Sequence, residues 1–325
     1  MHRRFLEFLI CPACGEDAPL RADEAGDDIV SGELRCEHCG AGYPVRGGIP
    51  RFVRDDRRDY ENFAFQWREW RTVQIDRLGH HDLSERRFFA DTRWTPDWLR
   101  GRLILDAGCG AGRFADIAAL NGATVIACDI SEAIDAASET LRDHGERVAC
   151  LQASIYDLPI RPGAFDGIYC FGVIQHTPDP ARTMAALPRF LKPGAPLVYN
   201  FYERGLSPRL QAVKYALRLI TPHLPRRMTL ALSRALVGLF FPMTRLLSRI
   251  RYIRFANHFM PIAATHPAEL TREQQYRWTL LDTFDWYGPR HEQRQDHRKV
   301  MALLENAGLV DVAGAPGLAW ARRPD

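Results

Sequence analysis

The chain has 325 residues, of which 46% are hydrophobic and 26% are charged, and its formal net charge is +3. This length predicts two or three structural units, each with room for a hydrophobic core. No apolar run approaches the ~20 residues of a membrane span, and residues 1–10 lack the apolar core and cleavage site of a signal peptide. These features argue against a membrane-spanning or secreted protein, and we expect a cytoplasmic one.

The charge is distributed unevenly along the chain. Residues 1–59 contain 9 arginines and 12 acidic residues, a net charge of −3. Residues 203–256 contain 11 basic residues and one acidic residue, a net charge of +10. Only the second segment is expected to meet an anionic partner.

Two Cys-x-x-Cys pairs, each followed by glycine, lie in the first 40 residues: Cys11 with Cys14, and Cys36 with Cys39. A two-residue gap lets one tight turn direct both thiolates at one ion, so two such pairs predict a tetrahedral zinc site. Four protein ligands leave no position open for water or substrate. Zinc is therefore expected to be structural and to stabilise a unit with few large apolar side chains.

This first unit resembles a family of zinc ribbons, the small activator subunits of tRNA and protein methyltransferases and their bacterial relatives. The matching residues run from CPACG through CEHCGAGYPVRGGIPRFV, about residues 8–54. The resemblance implies a ribbon fold and an affinity for methyltransferase partners. A candidate partner lies in the same chain.

A glycine-rich turn follows a short apolar strand predicted at Leu103–Leu105. Residues 113–120 continue with helical spacing, so the turn joins a strand to a helix and contains Gly108, Gly110 and Gly112. The pattern is G-x-G-x-G, which differs from the G-x-G-x-x-G that binds a pyrophosphate. Asp106 at the strand end would repel a diphosphate but suits a ligand that carries an ammonium and a sulfonium. S-adenosylmethionine carries both groups.

A second acidic residue follows the next predicted strand. Thr124–Cys128 ends in Asp129, which lies 17 positions beyond Gly112. In an open α/β sheet the second strand presents a carboxylate at this point to two ribose hydroxyls. The glycine turn and the two carboxylates together favour a nucleoside ligand with a positively charged tail.

The segments LDAGCGAGRF, VIACDI, YDLPIRPGAFDGIYCFGVIQHTPDP and FLKPGAPLVYNF resemble the class I S-adenosylmethionine-dependent methyltransferases. The resemblance covers roughly residues 100–202 and resumes near 292–323. It implies an α/β fold with a Rossmann-like seven-stranded sheet and the cofactor over the carboxyl ends of the first strands. Many relatives carry aspartate where Ser154 stands, so the Ser154 hydroxyl or the backbone is expected to accept a hydrogen bond from the adenine amine. The cofactor contacts that the resemblance implies are Asp106, Gly108, Cys109, Gly110, Gly112, Asp129, Ile130, Ser154, Ile155 and Phe171.

The segment NFAFQWREW, residues 62–70, looks like an SFxxQW-type segment that several ribbon-bearing methyltransferases place before the sheet. Two interpretations remain open for it. It forms an aromatic helix that packs on the core, or it covers the cofactor through Phe65 and Trp67.

An insert of some 90 residues separates the predicted fifth strand, Leu197–Phe201, from the last helix, Asp296–Ala307. This length far exceeds a usual connection. Apolar residues at helical spacing face away from arginines, and Pro222, Pro225 and Pro242 divide the pattern into several amphipathic helices. The insert is predicted to be a helical lid that selects the acceptor. Its arginines are solvated, or they meet an anionic bilayer, a phosphate-bearing substrate or RNA.

Candidate catalytic residues lie in two places. The segment TFDWYGPRHE, residues 283–292, interrupts the helical pattern. In relatives a segment like this lies over the catalytic face, which makes Asp285, Tyr287 and His291 candidates. His176, just past the fourth strand, is another, since a histidine near neutral pKa can accept a hydroxyl proton. Methyl transfer mostly requires that the nucleophile, the methyl group and the leaving sulfur are aligned, so a base is not obligatory.

The sequence predicts a cytoplasmic S-adenosylmethionine-dependent methyltransferase that modifies a small metabolite, either lipid- or phosphate-linked, with peripheral attachment to the inner membrane face left open. An RNA base methyltransferase is an alternative, because the rRNA guanine-N1 methyltransferases join a zinc ribbon to this fold. A catalytically silent adapter, which binds cofactor and docks a partner through its ribbon, is another. The predicted units are a ribbon (1–54), an aromatic helical linker (55–100), the methyltransferase core (101–202 and 292–325) and the helical insert (203–291).

Overall fold

The structure of the protein, a computed structural model, describes residues 1–15, 18–22, 26–53, 61–205 and 210–325. The predicted boundary at residues 54–55 lies outside these ranges, and the division into four units stays a prediction. Two β-sheets are present in the described ranges, a small one near the N-terminus and a seven-stranded one.

The small sheet contains four antiparallel strands in the order β1-β2-β3-β4. Gly15 and Gly40, which follow the two cysteine pairs, have φ values of 95° and 72°, a left-handed conformation that glycine adopts without strain. These glycines let each chain segment turn sharply behind its thiolates. A 3-10 helix (Arg3–Phe8) precedes the strands, which are β1 (Leu20–Ala22), β2 (Gly32–Cys36), β3 (Gly42–Arg46) and β4 (Ile49–Pro50).

The large sheet has the order β10-β11-β9-β8-β5-β6-β7, which confirms the predicted seven-stranded α/β fold. Neighbours among β5 to β9 run parallel, and β11 is antiparallel to both of its neighbours. The order reverses between β5 and β8, and ligands of open α/β sheets bind beside such a reversal. The strands are β5 (Leu103–Ala107), β6 (Thr124–Asp129), β7 (Val148–Gln152), β8 (Gly167–Phe171), β9 (Pro196–Asn200), β10 (Val310–Ala315) and β11 (Leu318–Arg322).

Helices surround this sheet. The four remaining cysteines, Cys109, Cys128, Cys150 and Cys170, are buried. Before the sheet lie α1 (Glu61–Glu69), α2 (Asp76–Gly79), α3 (Leu83–Thr92) and α4 (Pro96–Leu99). Between and after its strands lie α5 (Arg113–Leu120), α6 (Ala133–Leu141), α7 (Pro180–Ala186) and α11 (His297–Asn306).

The insert is helical, as predicted, but two of its helices are longer than the sequence indicates. It contains α8 (Ala212–Arg218), α9 (Arg226–Ser248) and α10 (Arg272–Tyr287). Pro242 lies inside α9 instead of ending it, although proline in a helix costs about 3 kcal/mol. Val237 and Phe241 are buried just before it and Thr244 just after it, so packing on both sides of the proline offsets that cost.

The helix α9 is long and apolar enough to cross a membrane, judged by length and composition alone, and 22% of its most apolar 18-residue window is buried. The sequence analysis expected no membrane-spanning segment because it required an uninterrupted apolar run, whereas this window includes Arg234 and several hydroxyl residues. By itself this property is weak evidence for a membrane span.

The ribbon shares one hydrophobic core with the large sheet. Phe5 and Leu9 of the ribbon belong to the same buried cluster as Leu151 and Ile160. The backbone N–H of Phe52 donates to the carbonyl of Gln152 at 2.8 Å, so the ribbon also covers the edge strand β7. Covering an edge strand removes its unpaired backbone groups from solvent. The ribbon therefore packs on the large sheet of its own chain.

Candidate active site and zinc centre

The four predicted zinc ligands converge in the ribbon. The Sγ atoms of Cys11, Cys14, Cys36 and Cys39 all lie within 4.8 Å of one another. Cys11 Sγ is 3.8 Å from Cys39 Sγ, and Cys14 Sγ is 3.9 Å from Cys36 Sγ. A tetrahedral ion with Zn–S bonds of about 2.3 Å separates its sulfurs by about 3.8 Å. The cluster thus fits zinc, and the Tyr43 hydroxyl, 3.1 Å from Cys11 Sγ, is placed to donate to that thiolate.

The glycine turn between β5 and α5 needs glycine for two reasons. Gly108, Gly110 and Gly112 have φ values of 86°, 55° and 83°, which favour a residue without a side chain. A Cβ on Gly108 would lie 2.3 Å from Val173 Cγ2, and a Cβ on Gly110 would lie 2.9 Å from the Trp67 indole. The bare backbone of the turn is therefore open to a ligand on one side and closely packed on the other.

Two carboxylates flank this turn. Asp106, at the end of β5, is 2% exposed, and its Oδ2 atom has no hydrogen-bond partner among the described residues. Burial, and secondarily the charge of Asp129, raise the pKa of Asp106 to about 7. Burial also raises the pKa of Asp129, whose Oδ2 accepts the Gly110 N–H at 3.1 Å. A cationic ligand would compensate the unfavourable ionisation of these carboxylates.

Most of the remaining predicted cofactor residues line the same pocket, a cavity of about 240 Å³ at the carboxyl ends of β5, β6 and β8. The Ser154 hydroxyl oxygen accepts the Tyr156 N–H at 3.2 Å, which leaves it one further lone pair for an adenine amine. Gly112 does not line the cavity: it is the N-cap residue of α5, where a Cβ would lie 3.0 Å from Leu141 Cδ1. Besides Asp106, Asp129, Gly108 and Gly110, the cavity is lined by the predicted residues Cys109, Ile130, Ser154, Ile155, Phe171 and Trp67.

The helix α1 closes one side of the pocket, but only one of its two predicted covering residues faces the cavity. Trp67 lines the cavity and packs on the glycine turn. Phe65 does not line the cavity, so for this residue the structure favours the other open interpretation, an aromatic helix that packs on the core. Its ring packs against Trp70 and Phe284, with centroids 6.1 Å and 5.6 Å away, because the helix turns it toward α10.

A polar cluster occupies the end of the cavity beyond the cofactor turn. The Tyr202 hydroxyl donates to Asp285 Oδ2 at 3.0 Å, and Gln66 Nε2 donates to Asp285 Oδ1 at 3.2 Å. His176 Nε2 lies 4.0 Å from Asp285 Oδ2, and His176 Nδ1 lies 2.9 Å from the carbonyl oxygen of His291. A carbonyl only accepts, so Nδ1 must carry the proton and Nε2 of neutral His176 offers its lone pair to the cavity.

Two of the four candidate catalytic side chains lie elsewhere. Tyr287 is fully buried outside the cavity, and its hydroxyl donates to the carbonyl of Pro261 at 2.7 Å. The His291 side chain does not line the cavity either, and this residue reaches the site only through its backbone carbonyl, which fixes the orientation of His176. The other two candidates, His176 and Asp285, bring their side chains to the pocket.

Sequence reasoning missed several residues of this cluster. Tyr202 directly follows β9, and its position past the carboxyl end of a parallel strand was a usable signal. Arg87 and Asp282 also line the cavity, although neither has a local motif. Burial raises the pKa of Asp282 to about 7, and its Oδ2 accepts the Thr265 hydroxyl at 2.5 Å.

The residues of the pocket fit S-adenosylmethionine. The Oδ2 atom of Asp106 is buried without a partner among the described residues and lies next to an open glycine backbone, which suits an ammonium and a neighbouring sulfonium. Asp129 retains lone pairs for ribose hydroxyls, although its Oδ1 already accepts the N–H and hydroxyl of Ser131 at 2.8 Å and 2.7 Å. A diphosphate would meet carboxylates at both positions.

Two family models match the chain. The model described as "Methyltransferase domain" matches residues 105–199, and the model described as "Trm112p-like protein" matches residues 2–48. A protein named ubiquinone biosynthesis O-methyltransferase from Azotobacter vinelandii is 33% identical over 168 residues, which are 50% of this chain and 69% of the relative. A protein of the same name from Methylococcus capsulatus is 37% identical over 127 residues, 38% of this chain and 54% of the relative. The chain thus spans about half the length of the second relative.

Solved structures also resemble the chain. The magnesium protoporphyrin IX methyltransferase from Synechocystis, with S-adenosylhomocysteine bound, aligns with a TM-score of 0.46 and 16% identity over 82% of this chain and 97% of that chain. The complex of the Haloferax volcanii Trm112 activator with a putative methyltransferase aligns with a TM-score of 0.45 and 13% identity, over 83% of this chain and 98% of that chain. Neither similarity is strong enough to carry a functional argument.

Proposed function

We propose a substrate for this chain, which belongs to the class I S-adenosylmethionine-dependent methyltransferases. It transfers a methyl group to a hydroxyl oxygen of a small, lipid-linked metabolite. The single observation that carries this proposal is the geometry of His176. Its protonated Nδ1 is held by a backbone carbonyl, and its Nε2 opens into the cavity that also contains the glycine turn. Methyl acceptance by a hydroxyl requires a proton to leave, and this nitrogen can take it.

S-adenosylmethionine supplies an electrophilic methyl group when it is bound. The residues of the chain bind the cofactor, orient the acceptor and remove the acceptor's hydroxyl proton. Asp106 and Asp129 hold the charged tail and the ribose, and His176 Nε2 removes the hydroxyl proton of the acceptor. Asp285, 4.0 Å from that nitrogen, stabilises the imidazolium that forms. Tyr202 and Gln66 hold the Asp285 carboxylate in place through one hydrogen bond to each oxygen.

The nature of the acceptor is supported by the walls of the cavity and by the relatives. The rings of Phe63 and Tyr202 pack edge-on against His176, with centroids 5.3 Å and 5.5 Å away, and form an aromatic wall for an apolar acceptor. The relatives' name, ubiquinone biosynthesis O-methyltransferase, also favours an oxygen acceptor. A lipid-linked acceptor agrees with the apolar and basic insert, whose helix α10 contributes Leu281 to the cavity.

The proposal is tested by incubating the zinc-loaded protein and S-adenosylmethionine carrying a labelled methyl group with separated lipid, small-molecule and RNA fractions. Label in the lipid fraction, recovered as a methyl ether by mass spectrometry, is the expected result. Label in RNA would support the alternative RNA methyltransferase. Cofactor binding without transfer to any fraction would support the silent adapter and contradict the proposal.

Variants separate the catalytic role of His176 from a structural one. His176→Ala is expected to lower kcat by about 10²-fold or more, with little change in cofactor affinity, because a positioned base contributes 10²–10⁴-fold. Tyr287→Phe is the matched control, since that hydroxyl bonds a buried carbonyl outside the cavity, and it should retain kcat. An unchanged rate in His176→Ala would show that His176 is not the base and would overturn this part of the mechanism.

A further inference from the structure

The outer surface of α9 is apolar as well as its inner surface, where Leu236 and Phe240 pack on the core beside the fully buried residues. The fully buried stripe consists of Thr229, Ser233, Val237, Phe241 and Thr244. An amphipathic surface helix normally presents a polar face to solvent. The opposite face, which we call the outer seam, is exposed and consists of Met228, Leu239, Met243 and Leu246, which are 54%, 71%, 39% and 60% exposed.

The spacing of these residues places the outer seam on one face of the helix. Successive positions 228, 239, 243 and 246 are 11, 4 and 3 residues apart. Each of these spacings brings the next side chain back to about the same face of an α-helix. Two of the three buried hydroxyls find partners within the helix: the Ser233 hydroxyl donates to the Thr229 carbonyl at 2.9 Å, and the Thr244 hydroxyl donates to the Phe241 carbonyl at 3.1 Å. The Thr229 hydroxyl donates to the Thr221 carbonyl, before the helix, at 3.4 Å.

The segments beside α9 extend the apolar surface. Thirteen of the seventeen large apolar side chains that are exposed among the described residues lie between 210 and 259. They include Tyr252 and Phe255, which follow α9 and are 83% and 57% exposed. Scattered exposed apolar side chains are ordinary, but so strong a concentration in one segment marks an interaction surface.

The same segment is uniformly basic. Residues 204–268 contain 11 basic residues and no acidic residue. Three of the basic side chains pair with acidic residues from outside the segment, since Lys214 and Arg218 pair with Glu292 and Arg234 pairs with Glu69. Arg249, Arg251 and Arg254 are exposed, and no carboxylate of the described residues forms an ion pair with them.

We infer that the outer seam and these three arginines form a docking surface for an anionic lipid bilayer. Charge complementarity decides between the possible occupants. A second copy of the chain would bring arginines against arginines with no acidic residue in the segment to pair with them. RNA would match the arginines and stack its bases on Tyr252 and Phe255, but it would leave the aliphatic side chains of the outer seam, such as Leu239, in water. Anionic headgroups pair with the arginines while the acyl region accepts the apolar side chains.

The helix lies in the plane of the membrane and does not cross it. Its inner stripe packs against α10, and Arg234, near its middle, forms an ion pair with Glu69 of α1. Lipid therefore reaches one face only. The inner neighbour α10 carries Leu281, Asp282 and Asp285 into the catalytic cavity, so docking brings that cavity close to the bilayer surface. That this delivers a lipid-linked acceptor rests on the proposed function, whereas docking itself does not.

Flotation of the full, zinc-loaded chain with vesicles tests docking in the absence of acceptor and cofactor. We expect binding to vesicles of equal parts phosphatidylglycerol and phosphatidylcholine, and at least about tenfold weaker binding to phosphatidylcholine alone. Leu239→Glu and the combined substitution of Arg249, Arg251 and Arg254 by Gln should each weaken binding to the anionic vesicles by about tenfold or more. Leu120→Glu is the matched control, because Leu120 is 56% exposed at the end of α5, and it should bind as the parent does.

Thermal melting and cofactor affinity verify that each variant is folded. Equal binding to neutral and anionic vesicles, no binding to either, or full binding by Leu239→Glu would overturn the inference. So would a concentration-dependent dimer that Leu239→Glu abolishes, since this result assigns the surface to a second copy. Docking without methyl transfer would contradict the proposed function alone, and methyl transfer without docking would contradict this inference alone.

Discussion

The charge state of Asp106 should control cofactor affinity. This carboxylate is 2% exposed, and its pKa is raised to about 7, first by burial and then by Asp129. A bound ligand with an ammonium and a sulfonium favours the ionised form, so binding lowers this pKa. Affinity is then full when the pH lies above about 7 and falls as the pH drops below that value, because binding must first release a proton.

The magnitude follows from the ionised fraction of Asp106 in the free protein. With a pKa of about 7, roughly one tenth of the molecules are ionised at pH 6.0 and roughly three quarters at pH 7.5. The dissociation constant for S-adenosylmethionine should therefore be about eightfold larger at pH 6.0. Asp106→Asn, which keeps the shape but removes the charge, should bind at least about eightfold more weakly at pH 7.5 and vary little with pH.

Isothermal titration calorimetry at several pH values measures this dependence, with zinc content determined in parallel so that loss of the metal at low pH is not mistaken for titration of Asp106. Asp143→Asn is the control, because this carboxylate is 76% exposed and pairs with Arg77 away from the cavity. It should behave as the parent does. If the parent binds equally at both pH values, or if Asp106→Asn keeps the pH dependence of the parent, Asp106 does not face the charged tail of the ligand.

Three further outcomes are expected. Cys36→Ser should lose zinc, measured by elemental analysis, and lower the melting temperature of the whole chain in one transition, because Phe5 and Leu9 share a core with the sheet; an unchanged main transition would contradict this coupling. Lys214→Met should lower the free energy of unfolding in urea by about 3 kcal/mol, since it leaves Glu292 with only Arg218 and Arg294, whereas Lys192→Met at an exposed pair should cost less than about 1 kcal/mol; equal losses would contradict the difference. Trp67→Ala should weaken cofactor binding by about tenfold while Phe65→Leu should not, and the reverse order in calorimetry would contradict the orientation of α1.

The cofactor half of the site could be predicted from sequence because its residues are local to the strand ends. Asp106 ends β5, the glycines follow it directly, and Asp129 ends the neighbouring strand β6. Parallel strands bring their carboxyl ends to one edge of a sheet, so the order of residues along the chain already determines their proximity. Ser154 lies just past β7 for the same reason.

The acceptor half could not be predicted to the same extent because it depends on which way helices face. Residues two positions apart in a helix point about 200° apart, so Phe65 and Trp67 cannot both face the cavity. The same geometry separates Asp285 from Tyr287 once α10 is known to continue through residue 287. Asp282 and Asp285 differ by three positions and share a face. Helix geometry would have found this pair had the sequence not been interpreted as irregular from residue 283.

The position of the ribbon links zinc to the adenine side of the cavity. Arg51 Nη1 donates to Gln152 Oε1 at 3.0 Å, and the Phe52 N–H donates to the Gln152 carbonyl. Gln152 Nε2 in turn donates to the carbonyl of Ile130 at 3.3 Å, and Ser154 lies two residues further along the chain. Ile130 and Ser154 both line the cavity. A ribbon tethered in the same chain is present at high effective concentration, so these contacts persist without an external partner. Zinc thereby stabilises the cofactor pocket from a site that has no open coordination position of its own.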